Sequence, residues 1–88
     1  GIADLARVAG RSPSALRRQF QAALGTGPAQ WLREQRLERA RYLLRTTGLP
    51  IGEIGARVGL PDPYYFSRLF RARHGVSPSA YRRQQGIL

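Results

Sequence analysis

A chain of 88 residues has room for one small domain or for two very small units. Its 15 basic residues are all arginine and face only five acidic residues, so the net charge of +10 indicates a polyanionic partner, because a merely soluble surface usually mixes both signs. The absence of cysteine excludes disulfides and thiolate zinc sites, and no apolar run is long enough for a membrane span or a signal peptide.

The sequence is a duplication with a period of about 50 residues. In the first part of each copy, Ile2 and Gly10 recur as Ile51 and Gly59. Further on the period is one residue longer, which places the extra residue in a turn between Gly59 and Phe66. The later matching pairs are Arg18 and Arg68, Phe20 and Phe70, Gly25 and Gly75, and Pro28 and Pro78.

The first copy predicts two helices joined by a sharp turn. Gly10 supplies the left-handed backbone of that turn, and the small Ala6 allows the two helices to cross closely. Ser12 and Pro13 provide the N-cap and the first residue of the second helix, which ends at Gly25. The apolar face of the first helix is formed by Ile2, Leu5, Ala6 and Ala9.

The segment from Pro28 to about Arg45 predicts one long helix, because it has no internal glycine or proline. Roughly 18 residues at ~1.5 Å each span about 27 Å, against about 34 Å between successive major-groove faces of B-DNA. A stiff spacer of this length would let both copies reach one face of a duplex. Its polar side carries Arg33, Arg36, Arg39 and Arg41; some of these are expected to meet phosphates, and Glu38 has Arg41 and Arg45 as alternative partners.

The second copy predicts the same order of elements. A helix with Gly55 in the small-residue position precedes the turn at Gly59. Asp62 and Pro63 begin the next helix, and Ser77-Pro78 begins a further one with the same capping chemistry. The apolar face before the turn consists of Ile51, Ile54, Gly55 and Val58.

The helix after each turn has an outer face that combines arginine with hydrogen-bonding side chains. Neither face has an Asp or Glu three or four residues away to pair with its arginines. Arginine reads guanine in the DNA major groove, which admits one helix, so these faces predict recognition helices. Of the two adjacent tyrosines, one can stack on bases or contact a phosphate while the other completes the core, and Tyr64 is expected to be the outward one. The faces consist of Ser14, Arg17, Arg18 and Gln21, and of Tyr64, Ser67, Arg68 and Arg71.

The sequence shows no pattern of residues that is typical of a catalytic or a metal-binding site. His74 is the only histidine, and no cysteine exists to join it in a metal site. Five carboxylates without a pair, a triad or a phosphate-binding loop do not support an enzyme. We expect a non-enzyme without cofactor or metal, in which His74 is a half-buried residue near a helix C-terminus.

Several stretches together resemble the C-terminal DNA-binding domain of AraC/XylS-type transcription regulators. The most specific match lies in the second copy and consists of Ile51 to Ile54 with Gly59, then Tyr65 to Phe70, Gly75, Ser77-Pro78 and Tyr81-Arg82. The remaining matches are Ile2 to Ala6 with Gly10 and Ser12, and Arg36 to Ala40 with Leu43-Leu44. The resemblance covers nearly the whole chain.

The resemblance implies an all-α, homeodomain-like tandem of two helix-turn-helix subdomains joined by a long linker helix. The expected divisions are 1–27, 28–47 and 48–88. The family's base-reading positions fall on Ser14, Arg17 and Arg18, with Gln21 nearby, and on Pro63, Tyr64, Tyr65, Ser67 and Arg68. The sequence departs from the family in lacking most of a preceding helix, in His74 where an apolar residue is usual, and in Gly55 where alanine is usual.

The leading interpretation is therefore a cytoplasmic, sequence-specific binder of double-stranded DNA, associated with the nucleoid when bound, that reads an asymmetric promoter site in adjacent major grooves. The alternative is a nonspecific architectural or RNA-binding basic protein, whose charge would be spread evenly or in flexible tails. The family's habit adds RNA polymerase as a partner of an activator. Because the chain contains no methionine, we expect a fragment whose effector binding and dimerisation belong to a missing N-terminal domain.

Overall fold

The computed structural model describes Asp4, Gly10 and residues 12–86. The described part of the chain contains helices and turns but no strand, in agreement with the all-α prediction. The helix predicted around Ile2 to Ala9 lies outside the described residues, apart from Asp4. The chain divides into two compact units, Gly1–Arg33 and Glu34–Leu88. The helices are α1 (Pro13–Leu24), α2 (Pro28–Thr46), α3 (Ile51–Arg57), α4 (Pro63–His74) and α5 (Pro78–Gln84).

In the first unit, α1 begins and ends where its capping residues predict. The Ser12 hydroxyl accepts a hydrogen bond from the Ala15 amide at 3.2 Å, and Gly25 ends the helix with a left-handed φ of 71°. Leu16 is the buried residue of this helix. The Phe20 ring meets Trp31 edge to face, with 5.6 Å between ring centroids, so α1 packs on the first turns of α2.

The predicted long helix exists as α2, an unbroken run of 19 residues. Its second half enters the core of the second unit, in which the two phenylalanines of α4 are fully buried. Phe66 and Phe70 pack edge to face, and Phe70 does the same with Tyr81 of α5. The core consists of Leu37, Ala40, Leu44, Ile54, Val58, Leu60, Phe66 and Phe70.

The helix-turn-helix of the second unit depends on the missing side chain of Gly55. A Cβ atom at this position would lie 2.8 Å from the Leu60 carbonyl oxygen and 2.9 Å from Cδ2 of Phe66. The Leu60 amide donates to the Gly55 carbonyl at 2.8 Å, so the turn folds directly over this residue. Gly59 has the positive φ of 86° that the turn requires. The prediction of a close crossing at Gly55 is confirmed.

The C-terminal end of α2 is held by a side chain from α5. The last carbonyls of a helix have no partner within it and need one elsewhere. The guanidinium of Arg82 donates to the carbonyls of Leu44 at 3.2 Å, Leu49 at 2.7 Å and Thr47 at 3.2 Å. One arginine thus joins α5, the end of α2 and the connection to α3.

His74, the last residue of α4, is half-buried as expected. Its Nε2 lies 3.4 Å from the Leu37 carbonyl oxygen, and its ring lies against Phe70 at 4.5 Å between centroids. Burial lowers the pKa of His74, and the Leu37 carbonyl and the charge of Glu38 only partly oppose this. The neutral ring is therefore favoured, whereas position at a helix C-terminus alone would favour the charged one.

We expect Arg82→Ala to lower the free energy of unfolding by about 2–3 kcal/mol, because three carbonyls lose a charged donor. Arg82→Lys keeps the charge without the planar fork and should recover only part of this loss. Urea denaturation followed by circular dichroism measures both. The neighbouring Arg83, which is exposed, provides the control. An Arg82→Ala variant as stable as Arg83→Ala would show that the three contacts contribute nothing.

We expect Gly55→Ala to destabilise the second unit, although alanine favours a helix by about 1 kcal/mol. The new methyl group would displace the Leu60 backbone and the Phe66 ring, and overpacking of this kind costs about 1–3 kcal/mol. Gly52→Ala in the same helix is the matched control, because open space surrounds its Cβ position. Thermal unfolding should show opposite shifts for the two variants; a higher melting temperature for both would refute the close contact.

We expect the melting temperature to fall as the pH is lowered from about 7.5 to about 5, in part through His74. Its folded-state pKa is lowered. The stabilising effect of the neutral ring is therefore complete above the unfolded-state pKa of about 6.5 and is lost as the pH falls through the folded-state value. His74→Gln should show a shallower fall over this range. Identical slopes in both proteins would exclude the effect.

Candidate nucleic-acid interface

The outer face of α1 presents the residues that the sequence places there. Ser14, Arg17, Arg18 and Gln21 are all exposed. Ser14, Arg17 and Gln21 are three and four residues apart and Arg18 is adjacent to Arg17, so all four lie on the side of the helix away from the buried Leu16. Within the described residues, neither arginine forms an ion pair. This face can offer two charged donors between two uncharged polar side chains.

The outer face of α4 is organised by the cap at its start. One carboxylate oxygen of Asp62 accepts from the amides of Tyr64 at 3.0 Å and Tyr65 at 3.3 Å. The Tyr64 side chain is 83% exposed and therefore points outward as predicted, whereas Tyr65 is 38% exposed. Tyr65 lies beside the guanidinium of Arg68, 5.9 Å from its ring centroid. The structure thus leaves the Tyr65 ring at the edge of this face, neither fully outward nor in the core.

The remaining predicted residues of α4 share this side of the helix. Arg68 and Arg71 are exposed, and Ser67 is half-buried between them and the core. Phe66 and Phe70 on the opposite side are fully buried. Two buried rings thus hold the helix that carries the polar side chains. They fix the backbone from which each arginine extends, but not the rest of the arginine side chain.

Two acidic side chains of the second unit, Glu38 and Glu53, pair with arginines outside the two outer faces. Glu38 pairs with Arg41 at 2.7 Å and with Arg73 at 3.7 Å, and Glu53 pairs with Arg57 at 3.2 Å. Of the two partners that the sequence offers, Arg41 and Arg45, Glu38 thus pairs with Arg41. It also pairs with Arg73 of α4. No arginine of the two outer faces takes part in these pairs. The positive charge of both faces is therefore available to an external anion.

Sequence reasoning missed two features of the arginines on α2. The Arg36 guanidinium covers the turn at Gly59, 3.3 Å from where a Cβ would be. Arg39 and Arg45 lie on Tyr42, with 5.2 Å and 5.8 Å from guanidinium carbon to ring centroid. The second feature had a signal, because residues three apart along a helix are neighbours on its surface.

Among the described residues, no group of His, Asp and Glu side chains is arranged to hold a metal ion. None of the described helices combines the length and apolar character needed to cross a bilayer.

Comparison with known proteins places the chain among bacterial regulators. A family model described as a helix-turn-helix domain matches residues 5–84. The arabinose operon regulatory protein of Salmonella typhimurium is 42% identical over 81 residues, which is 92% of this chain and 29% of that protein. The chain therefore spans less than a third of that curated relative's length.

Solved structures agree with this match. An AraC-type DNA-binding domain-containing regulator from Chromobacterium violaceum has a TM-score of 0.92 and 35% identity, over 97% of this chain and 76% of that one. The DNA-binding domain of AdpA, a global transcriptional factor solved in complex with a target DNA, has a TM-score of 0.90 and 34% identity, over 96% and 76%.

Proposed function

Because the chain belongs to the AraC-type family of helix-turn-helix transcription regulators, we propose that it reads an asymmetric DNA site with α1 and α4, each in a major groove. A module of this family is a DNA-binding domain and not an enzyme. The observation that carries the proposal is the pair of outer faces whose arginines have no acidic partner in the described residues. Related proteins are named as operon regulators, and one related domain was solved on its target DNA.

Each outer face contributes side chains that suit base edges. Arg17, Arg18, Arg68 and Arg71 are the candidates for bidentate contacts to guanine, and Ser14, Gln21 and Ser67 for hydrogen bonds to other bases. Tyr64 stacks on a base or contacts a phosphate, and Tyr65 holds the Arg68 guanidinium against its ring. Because the two faces differ in composition, each half of the site is expected to have its own sequence.

The linker supports the proposal of two adjacent grooves. At ~1.5 Å per residue, the 19 residues of α2 span about 28 Å, and the width of the units would extend this toward the pitch of B-DNA, about 34 Å. We propose functional divisions at 1–27, 28–47 and 48–88, with the middle one acting as the spacer. The curated relatives are longer than this chain. Contact with RNA polymerase, effector binding and dimerisation are proposed for a protein of that length and not for the described residues.

The N-terminal ends of α2 and α5, the helices that follow the two recognition helices, are further candidates for contact with a DNA phosphate. At α5 the Ser77 hydroxyl already accepts from the Ala80 amide at 3.1 Å. Before α2 the corresponding residue is Gly27, which has no side chain for this purpose. The start of α2 is therefore the better candidate for a backbone phosphate contact.

We expect Arg18→Ala and Arg68→Ala each to weaken binding to the preferred site by about 1–3 kcal/mol and to relax the preference at one base position. Sites selected from a random duplex library with the unmodified chain and with each variant give the preference, and fluorescence anisotropy gives the affinity. Arg57→Ala is the control, because its side chain pairs with Glu53.

Two outcomes of this experiment would contradict the proposal in different ways. If both variants weaken every sequence equally, Arg18 and Arg68 contact phosphates and the groove assignment is wrong. If the unmodified chain selects no sequence and loses equally to any competitor duplex, the chain is a nonspecific basic binder.

A further inference from the structure

The outward side of α2 carries an exposed tyrosine between two arginines. Tyr42 is 46% exposed, and the guanidinium carbons of Arg39 and Arg45 lie 5.2 Å and 5.8 Å from its ring centroid. At about 100° per residue, Tyr42 points almost opposite to the side of α2 that enters the core, with one arginine on either side. We call these three residues the Tyr42 patch.

The Tyr42 patch has no internal counter-ion in the described residues. Neither Arg39 nor Arg45 forms an ion pair there, and Glu38, on the same helix, is engaged by Arg41 and Arg73. Two positive charges held around one ring repel each other, and an exposed cation–π contact is worth only about 0.5–1 kcal/mol. Neither charge is neutralised within the described residues, so both are available to an external anion.

The position of the Tyr42 patch makes it unsuited to the DNA that α4 would bind. α2 and α4 turn their buried sides, with Leu44 and Phe70, toward one core. Their outer sides therefore point away from that core in different directions. We therefore expect a duplex lying along Arg68 and Arg71 to leave Tyr42 uncovered.

We propose that the Tyr42 patch binds a carboxylate-rich segment of a partner protein. Arginine and tyrosine are the residue types that carry most binding energy in protein interfaces, and the arginine fork matches a carboxylate with two hydrogen bonds. The patch adds a phenol hydroxyl, which can donate a further hydrogen bond. This surface is separate from the DNA-reading face that the proposed function assigns to α4, so both can be occupied together.

The test uses the isotopically labelled chain and two probes, a polyglutamate peptide and a short DNA duplex, at about 150 mM salt to screen general attraction. Polyglutamate is expected to shift the NMR signals of Arg39, Tyr42 and Arg45 at lower concentration than those of Arg68 and Arg71. The duplex is expected to shift the signals of Arg68 and Arg71 and to leave the patch unchanged. A polyglutamine peptide should shift neither set.

Substitutions distinguish peptide binding at the Tyr42 patch from general attraction to the positively charged chain. Tyr42→Ala and Arg39→Ala should each weaken polyglutamate binding by about fivefold. Tyr42→Ala, which removes no charge, should change duplex affinity by less than about twofold. Arg83→Ala, which removes an equally exposed arginine from α5, should leave both unchanged within about twofold. Tyr42→Phe keeps the ring and should retain most of the peptide affinity. Thermal unfolding checks that each variant is folded.

The proposal is overturned if polyglutamate shifts the NMR signals of all arginines alike, or if Arg83→Ala weakens polyglutamate binding as much as Arg39→Ala does. It is also overturned if the duplex shifts the patch signals and Tyr42→Ala weakens the duplex, since the patch then belongs to the DNA interface. Failure of the proposed DNA function would appear separately, as a duplex that leaves Arg68 and Arg71 unaffected.

Discussion

The position of α4 depends on the contact between the Phe66 ring and the bare backbone of Gly55. A side chain at residue 55 would have to occupy space that the ring and the Leu60 carbonyl already fill. Because α3 and α4 approach each other this closely, Phe66 and Phe70 are both removed from water while the other side of α4 stays exposed. The polar face that is proposed to read DNA is therefore displayed by an apolar contact on the reverse of the same helix.

The two copies of the duplication fold by the same local rules but differ in what completes them. Ser12, Asp62 and Ser77 each accept a backbone amide hydrogen bond at the start of their helix. The second unit adds the hydrogen bonds of Arg82 to the carbonyls at the end of α2 and just after it, which we call the Arg82 clamp. It also adds a chain of ring contacts from Phe66 through Phe70 to Tyr81. In the first unit the described aromatic contact is the single pair of Phe20 and Trp31. Both copies thus share the capping of their helices, and among the described residues these further contacts belong to the second unit.

Much of this architecture could be predicted from the sequence, because it depends on signals that are local. Serine or aspartate before proline, and glycine at the helix ends, fixed the limits of α1 and α4, and the lack of internal glycine or proline in α2 indicated one helix. The outer faces followed from spacing alone. The role of Arg82 could not be predicted, because its three carbonyl partners lie 33 to 38 residues away and their free lone pairs depend on where α2 stops. The choice of Arg41 and Arg73 by Glu38 likewise needed the packed helices.

The Arg82 clamp also sets an order of events during synthesis. The carbonyls of Leu44, Thr47 and Leu49 leave the ribosome well before Arg82 does, and Tyr81, which covers Phe70, comes just before it. Contacts between residues so distant in sequence form late, because the intervening chain must first be closed into a loop. A nascent chain that ends before α5 would hold α4 without its outer aromatic neighbour and α2 without its terminal donors. The second unit can therefore complete these contacts only once α5 has emerged.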